Sequence, residues 1–202
     1  MTKTCYHIIA LATACFSFSY CTPPRNFPVN YYKENEQLIH TVNLQYQALY
    51  EKKPFAAEFT GKNFDIVSLE LKTDTLRYIY EFLLNDPALK DTLFHFGYDS
   101  SSVLELVNNM RKIKCAWINN LDYYIDGNKR LLTFFSIKHK ALNIPFSPKK
   151  YFILTIYEQP QYYDDQGRLL DKRDIRRLRK VNNEIFWRIN DKVCYTLSAR
   201  FR

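Results

Sequence analysis

Two alternating runs of apolar and polar residues lie in the middle of the chain, within residues 114–139. Asp126 and Gly127 join the runs, and this dipeptide between alternating segments is a strong indication of a tight β-hairpin. Even positions of the first run place Asn120 and Asp122 towards solvent. The odd positions predict a buried face formed by Trp117, Leu121, Tyr123 and Ile125. The pattern therefore predicts that this hairpin is the centre of a sheet.

Further strands are predicted on both sides of the hairpin. Residues 131–137, the second arm of the hairpin, and residues 151–158 are almost continuously apolar, which is typical of interior strands. Residues 64–72 alternate in hydrophobicity. Residues 184–189 and 193–201 alternate most regularly and predict a second hairpin at the end of the chain.

Helices are predicted mainly in the first half. Residues 33–53 have helical apolar spacing and are followed by a proline that ends the helix. Asp86 and Pro87 predict an N-cap and first helical residue. Ser102 and Glu105 have the spacing of a capping box, which predicts another helix start.

Two segments are ambiguous. Residues 75–84 favour a helix, although residues 72–75 are equally compatible with a turn between two strands. Residues 171–181 predict a short amphipathic helix because their apolar residues recur at three-residue steps. These apolar residues are Ile175, Leu178 and Val181.

The order of elements predicts an α+β fold, an antiparallel β-sheet of hairpins with helices packed on one face. We expect residues 33–202 to form a single domain, since that length is sufficient for a hydrophobic core. Only four glycines occur in the 202 residues. Glycine-rich phosphate-binding motifs are absent from the sequence, so nucleotide-binding classes that depend on them are not indicated.

The first residues predict export. Residues 1–20 have the apolar run and flanks of a signal peptide, and the run is too short to span a bilayer. Residues 21–32 predict a polar tether. Lipid attachment is predicted at Cys21, which precedes this tether, or at Cys15, which has the better small-residue approach. Ordinary cleavage after Ala14 is a third possibility.

Charge separates the two halves of the chain. Residues 22–100 contain 8 Lys and Arg against 11 Asp and Glu, a net of −3, whereas residues 101–202 contain 20 against 10, a net of +10. This asymmetry predicts an anionic partner such as anionic lipid, or an acidic protein or polymer. Nucleic acid is not expected outside the cell. The predicted anion-binding residues are Arg173, Arg176, Arg177, Arg179 and Lys180. A solvated helix face with internal Asp–Arg pairs is the alternative.

No constellation of catalytic residues is found in the sequence. His95 lies between two aromatic residues, but no nucleophile or metal-ligand spacing accompanies it, and no cofactor or metal is predicted. Asp164 and Asp165 are expected in a solvated turn. Cys115 and Cys194 are predicted to remain unbridged, because strand parity places Cys115 towards the core and Cys194 on a polar face.

Two functions from different classes remain open. The first is an exported, lipid-anchored envelope protein that acts as a non-catalytic binding or scaffold module, with its basic half facing an anionic surface or acidic partner. The second is a small-ligand or enzymatic pocket enclosed by curved sheet and helices, with His95, Tyr123 or Tyr157 as its chemical groups.

Overall fold

The computed structural model describes residues 26–125, 128–137, 150–172 and 174–199. These residues form an eight-stranded antiparallel sheet, a separate two-stranded ribbon and three helices. The predicted α+β class is therefore confirmed. The Asp126-Gly127 turn, both candidate lipidation cysteines and Arg173 lie outside the described residues.

The described helices are α1 (Asn26–Lys52), α2 (Pro87–His95) and α3 (Ser100–Lys112). The first six strands are β1 (Phe55–Phe59), β2 (Ile66–Lys72), β3 (Arg77–Leu83), β4 (Cys115–Ile125), β5 (Asn128–Ile137) and β6 (Tyr151–Tyr157). The last four are β7 (Lys180–Val181), β8 (Glu184–Ile185), β9 (Trp187–Arg188) and β10 (Val193–Ser198).

The main sheet has the strand order β3-β2-β1-β4-β5-β6-β10-β9, and β7 pairs with β8 separately. The predicted central hairpin is β4 and β5, which occupy the middle of this order. The second predicted hairpin is found as β9 and β10, although its first arm is only two residues long.

All three helices pack on one side of the sheet, which we call the helix face. One row across this face consists of Ala57, Ile118, Phe135, Leu154 and Tyr195. α1 is fixed there by Tyr46, whose hydroxyl donates to the Phe55 carbonyl oxygen at 2.5 Å. At the β3 side, Phe96 after α2 contacts the Tyr80 ring. The burial of this apolar layer is the main source of the fold's stability.

The opposite side of the sheet is the far face. Its corresponding row consists of Glu58, Trp117, Ser136, Ile153 and Thr196. Strands β5, β6 and β10 are buried on both faces for most of their length. Within residues 158–190, which connect β6 to β10 and include β7, β8 and β9, the side chains of Arg179 and Tyr163 lie over this part of the far face, against Tyr157 and Cys194. Leu169 and Phe186 anchor that connection, because both side chains are fully buried.

Three helix predictions require correction. α1 includes residues 26–32, which were expected in the polar tether that precedes a helix at residue 33, and Pro28 and Tyr32 are buried against the domain. Residues 77–83 form β3 and not a helix; their alternation fits the edge of the sheet, where each second side chain faces the helices. The cap of α3 is Asp99 instead of Ser102, because the Asp99 carboxylate accepts from the Ser102 backbone amide and hydroxyl. The Asp86 cap of α2 is confirmed.

A β-bulge at Cys115 places this residue on the helix face and Trp117 on the far face, although strand parity predicts that they share a face. Beyond the bulge the alternation is unbroken: Tyr123 is buried as predicted, whereas Asn120 is buried and Leu121 is exposed, contrary to the prediction. Trp117 is half-buried and stacks on Phe134 at 6.5 Å between ring centroids. Thus the bulge separates two residues that alternation alone assigns to one face.

Candidate functional site

The predicted arginine helix is instead a turn organised by Asp174. The backbone amide of Arg176 donates to the Asp174 carboxylate at 3.1 Å, and the Arg177 amide donates to the Asp174 carbonyl oxygen at 2.9 Å. Ile175 is exposed, so the three-residue apolar steps do not form a buried stripe. An acidic residue that accepts hydrogen bonds from the amides following it favours a turn over a helix interior.

Two of the predicted anion-binding residues share this one carboxylate. The Arg176 and Arg177 Nε atoms lie 3.2 and 3.3 Å from the two Asp174 oxygens, and the side chains are 89% and 82% exposed. One negative charge is thus divided between two guanidinium groups, which leaves a net positive charge at the surface. Exposed pairs of this kind contribute little to stability.

Arg179 does not belong to that exposed surface. Its guanidinium lies over the rings of Tyr157 and Tyr123, at 5.5 and 5.9 Å from their centroids, and donates to the Gln161 side chain at 3.4 Å. Its backbone amide donates to Leu169, which fixes the chain at this point. Lys180 is exposed in the β7–β8 ribbon. The predicted set is therefore divided: Arg176, Arg177 and Lys180 face solvent, and Arg179 is turned inward.

The far face of β5 and β6 carries buried hydroxyls that we call the hydroxyl patch, formed by Ser136, Thr155 and Tyr157, of which Tyr157 lies beneath Arg179. Ser136 and Tyr157 hydroxyls have no hydrogen-bond partner among the described residues. The Thr155 hydroxyl and Tyr163 lie near the Cys194 thiol, and sulfur is a weak hydrogen-bonding group. Buried polar groups normally have partners, so this patch is unusual.

Burial also governs the ionisation of this region. Desolvation raises the pKa of Tyr157, Tyr163 and Cys194 above their ordinary values, and desolvation is the largest cause for each. A tyrosine or thiol with a raised pKa keeps its proton at neutral pH. These groups are therefore neutral hydrogen-bonding groups rather than nucleophiles.

The two cysteines are free, and Cys115 is buried as predicted, but Cys194 is also buried, contrary to its predicted position on a solvent-facing polar face. Its strand face is polar in composition yet lies beneath residues 158–190, so Cys194 is as inaccessible as Cys115. Cys115 pairs with Ile137 on the helix face, and Cys194 pairs with Thr155 on the far face. The sheet separates the two thiols. Burial raises the pKa of Cys115 to about 12.

The other candidate groups do not converge. His95 is exposed at the end of α2, whereas Tyr123 and Tyr157 meet edge to face with ring centroids 5.7 Å apart. Asp164 caps its own turn through the amides of Gln166 and Arg168. Across the described ranges, no cluster of His, Cys, Asp or Glu has the arrangement of a metal site.

The sequence analysis did not predict the hydroxyl patch or the position of Tyr163 beside the Cys194 thiol. A signal was present, because Cys194, Thr196 and Ser198 fall on one face of a strand whose other face is apolar. Such a face is predicted to be exposed unless another segment covers it. The covering segment, residues 158–190, has almost no regular structure and is therefore difficult to place from periodicity.

Comparison with known proteins does not indicate a family, because no family model, curated protein or solved structure matches the chain. Within the part of the chain that the structure describes, no helix has the length and apolar character needed to cross a membrane. The arrangement itself thus supplies the basis for a functional proposal.

Proposed function

We propose that this protein is an exported, lipid-anchored envelope protein that acts as a non-catalytic binding module, with its basic C-terminal half facing an anionic membrane surface. The observation that carries the proposal is the exposed Arg176–Arg177 pair, in which two cations share the Asp174 carboxylate. Cations near an anionic membrane contribute about 1 kcal/mol each. The apolar leader and the candidate anchors Cys15 and Cys21 support the export part of the proposal.

The position of α1 adds support from geometry. Its first turn packs against β6, with the Phe27 and Phe152 ring centroids 5.0 Å apart, and the Tyr32 hydroxyl accepts from Asn190 at 3.4 Å. The N-terminal end of α1 therefore lies beside β6, which belongs to the basic half. From Cys21 to Asn26 an extended chain reaches at most about 18 Å, which would hold that half near the lipid surface.

Vesicle flotation tests the surface. The chain from residue 22 onward is mixed with phosphatidylglycerol-containing vesicles or with neutral phosphatidylcholine vesicles. The double variant Arg176→Glu and Arg177→Glu should lose about thirtyfold or more in affinity for anionic vesicles, because the loss of two cations alone costs about 2 kcal/mol. A matched control, Lys33→Glu and Lys90→Glu, makes the same charge change on helices of the acidic half and should bind as the parent does. Equal loss in both variants, or no binding by the parent, would contradict the proposal.

The anchor has its own test. Metabolic labelling with radioactive palmitate should label the chain, and Cys21→Ser or Cys15→Ser, made separately, should remove the label at one position only. If the exported chain carries no label, lipid anchoring is contradicted, and only the basic surface would remain to contact the membrane.

A second candidate function is suggested by the hydroxyl patch. The unpaired hydroxyl of Tyr157 would be satisfied by a small polar ligand held beneath Arg179. Native mass spectrometry of the chain purified from its producing cell tests this idea. A bound mass released by denaturation and depleted in Tyr157→Phe would support it, and a ligand-free chain would remove its basis.

A further inference from the structure

The two edges of the main sheet differ in how they are protected. At one edge, β9 is only two residues long and is followed by a turn. At the other edge, β3 is seven residues long and contains no proline, glycine or lysine. Its far-face residues Ile79 and Leu83 are 73% and 60% exposed. Long apolar edge strands without such protection are ready to pair with another strand.

The hydrogen-bonding groups of β3 point towards this open edge at odd-numbered residues. The Thr73 amide donates to the Leu76 carbonyl oxygen, and the Leu84 amide donates to Asp65. Since bonded pairs alternate along an antiparallel ladder, the even-numbered residues of β3 bond to β2. The backbone N–H and C=O groups of Arg77, Ile79 and Glu81 are therefore directed away from the sheet.

We propose that β3 pairs antiparallel with β3 of a second copy of this chain, about a two-fold axis through Ile79. In this register Ile79 faces its own symmetry mate, while Arg77 lies opposite Glu81 of the other copy. The axis thus produces two Arg–Glu pairs flanking an apolar contact, and it uses the backbone groups that already face outward. Self-complementarity of this kind is required for a two-fold interface.

Neighbouring registers are less complementary. An axis through Tyr80 places Ile79 opposite Glu81, and Arg77 opposite Leu83, so each charge meets an apolar residue. An axis through Glu81 places two carboxylates opposite each other. Opposite charges across a strand pair are favourable and like charges are unfavourable, so the axis at Ile79 is selected.

The existing ion pairs are compatible with this arrangement. Arg77 contacts Glu70 on β2 at 3.4 Å, yet its side chain is 74% exposed and remains free to interact across the edge. Glu81 is exposed and has no ion pair within the described ranges. The occupant is thus specified by charge: it must present a cation opposite Glu81 and an acid opposite Arg77, as a second β3 does.

A charge swap tests the pairing in the full chain, purified in detergent, by sedimentation velocity. The parent chain should be dimeric. Arg77→Glu and Glu81→Arg each create like charges across the axis and should raise the dimer dissociation constant roughly tenfold. The double swap restores the pairs in reverse and should restore the dimer. It does not restore the Arg77–Glu70 contact, so recovery cannot come from that contact.

Cross-linking tests the register. In a chain whose Cys5, Cys15 and Cys21 are changed to Ser, Ile79→Cys should form a disulfide-linked dimer under mild oxidation. Bonded antiparallel residues have Cα atoms about 5.5 Å apart, within disulfide range. Leu83→Cys is the control; it is exposed on the same strand but does not face its own mate, so it should form no disulfide-linked dimer.

Several outcomes would overturn the pairing. These are a monomeric parent chain at tens of micromolar, a dimer indifferent to either charge reversal, and a double swap that stays dissociated. Pairing of β3 with a different protein, or with the N-terminal residues of its own chain, would appear as loss of the Ile79→Cys homodimer. Circular dichroism of each variant separates loss of pairing from loss of the fold.

Discussion

The two ends of the sheet share an architecture but differ in what covers the far face. Strands β1 to β3 form an open end, where Ile79 and Leu83 are exposed. Strands β5, β6 and β10, with residues 158–190 above them, form a covered end in which even Ser136 and Thr155 are fully buried. Apolar residues are thus exposed at one end, and polar residues are buried at the other. Exposure follows from the connections between strands and not from side-chain polarity alone.

The largest contrast is expected for apolar truncations. Phe186→Ala removes a fully buried anchor of the covering segment and should lower the free energy of unfolding by about 3–5 kcal/mol. Leu83→Ala, at the open end, should change it by less than about 0.5 kcal/mol. Urea denaturation at low protein concentration measures both. Similar values for the two variants would show that residues 158–190 are not packed as described.

Hydroxyl deletions should have opposite signs at the two ends. Tyr46→Phe removes the hydrogen bond to Phe55 of β1 and should cost about 1 kcal/mol. Tyr157→Phe removes a buried hydroxyl without a partner and should stabilise the ligand-free chain by about 1 kcal/mol. Thermal and urea denaturation check both signs. Destabilisation by Tyr157→Phe would indicate that this hydroxyl is satisfied in solution.

Alkaline pH should lower the free energy of unfolding through the buried thiols, neither of which lies in β1 to β3. Desolvation raises the pKa of Cys115 to about 12, so the folded chain retains a proton that the unfolded chain releases above pH 9. The thiol's contribution is fully present below that pH and decreases as pH rises towards 12. The loss should reach about 1 kcal/mol per buried thiol at pH 10. Cys115→Ala should reduce this pH dependence, measured by urea denaturation from pH 7 to 10; an unchanged slope would contradict it.

The smallest effect on stability is expected at the Asp174 turn. Asp174→Asn keeps an oxygen for the Arg176 amide but removes the charge shared by the two arginines. The free energy of unfolding should change by less than about 0.5 kcal/mol, because both Asp174–Arg ion pairs are exposed. Binding to phosphatidylglycerol vesicles should nevertheless tighten about fivefold. Asp91→Asn, on α2, is the matched control and should leave vesicle binding unchanged.

The features predicted correctly are those set by local rules. The β4–β5 hairpin and the Asp86 cap follow from nearby residues, and the structure contains both. The helix predicted for residues 75–84 is wrong because short apolar runs fit both the helical and the strand period, and only the pairing of β3 with β2 decides between them. The bulge at Cys115 left no signal in the alternation that follows it.

The sequence predicts which segment carries the basic residues, but it does not predict which of their side chains face solvent. The basic character of residues 171–181 was evident from composition. Arg179 is turned inward by two kinds of contact. Its backbone amide donates to the Leu169 carbonyl oxygen, and its guanidinium lies over two tyrosine rings from other strands. These partners are distant in sequence, and their positions follow from the tertiary fold.

The strand order has a consequence for the time course of folding. Neighbouring strands are consecutive in sequence within three blocks, β3-β2-β1, β4-β5-β6 and β9-β10, and the blocks meet only at the β1–β4 and β6–β10 pairings. Each of these two junctions closes a long loop, which is entropically costly and slow compared with hairpin formation. We expect amide hydrogens of β10 to become protected later than those of β4 and β5. The far face of β6 should therefore remain exposed to solvent until β9 and β10 pair with the sheet.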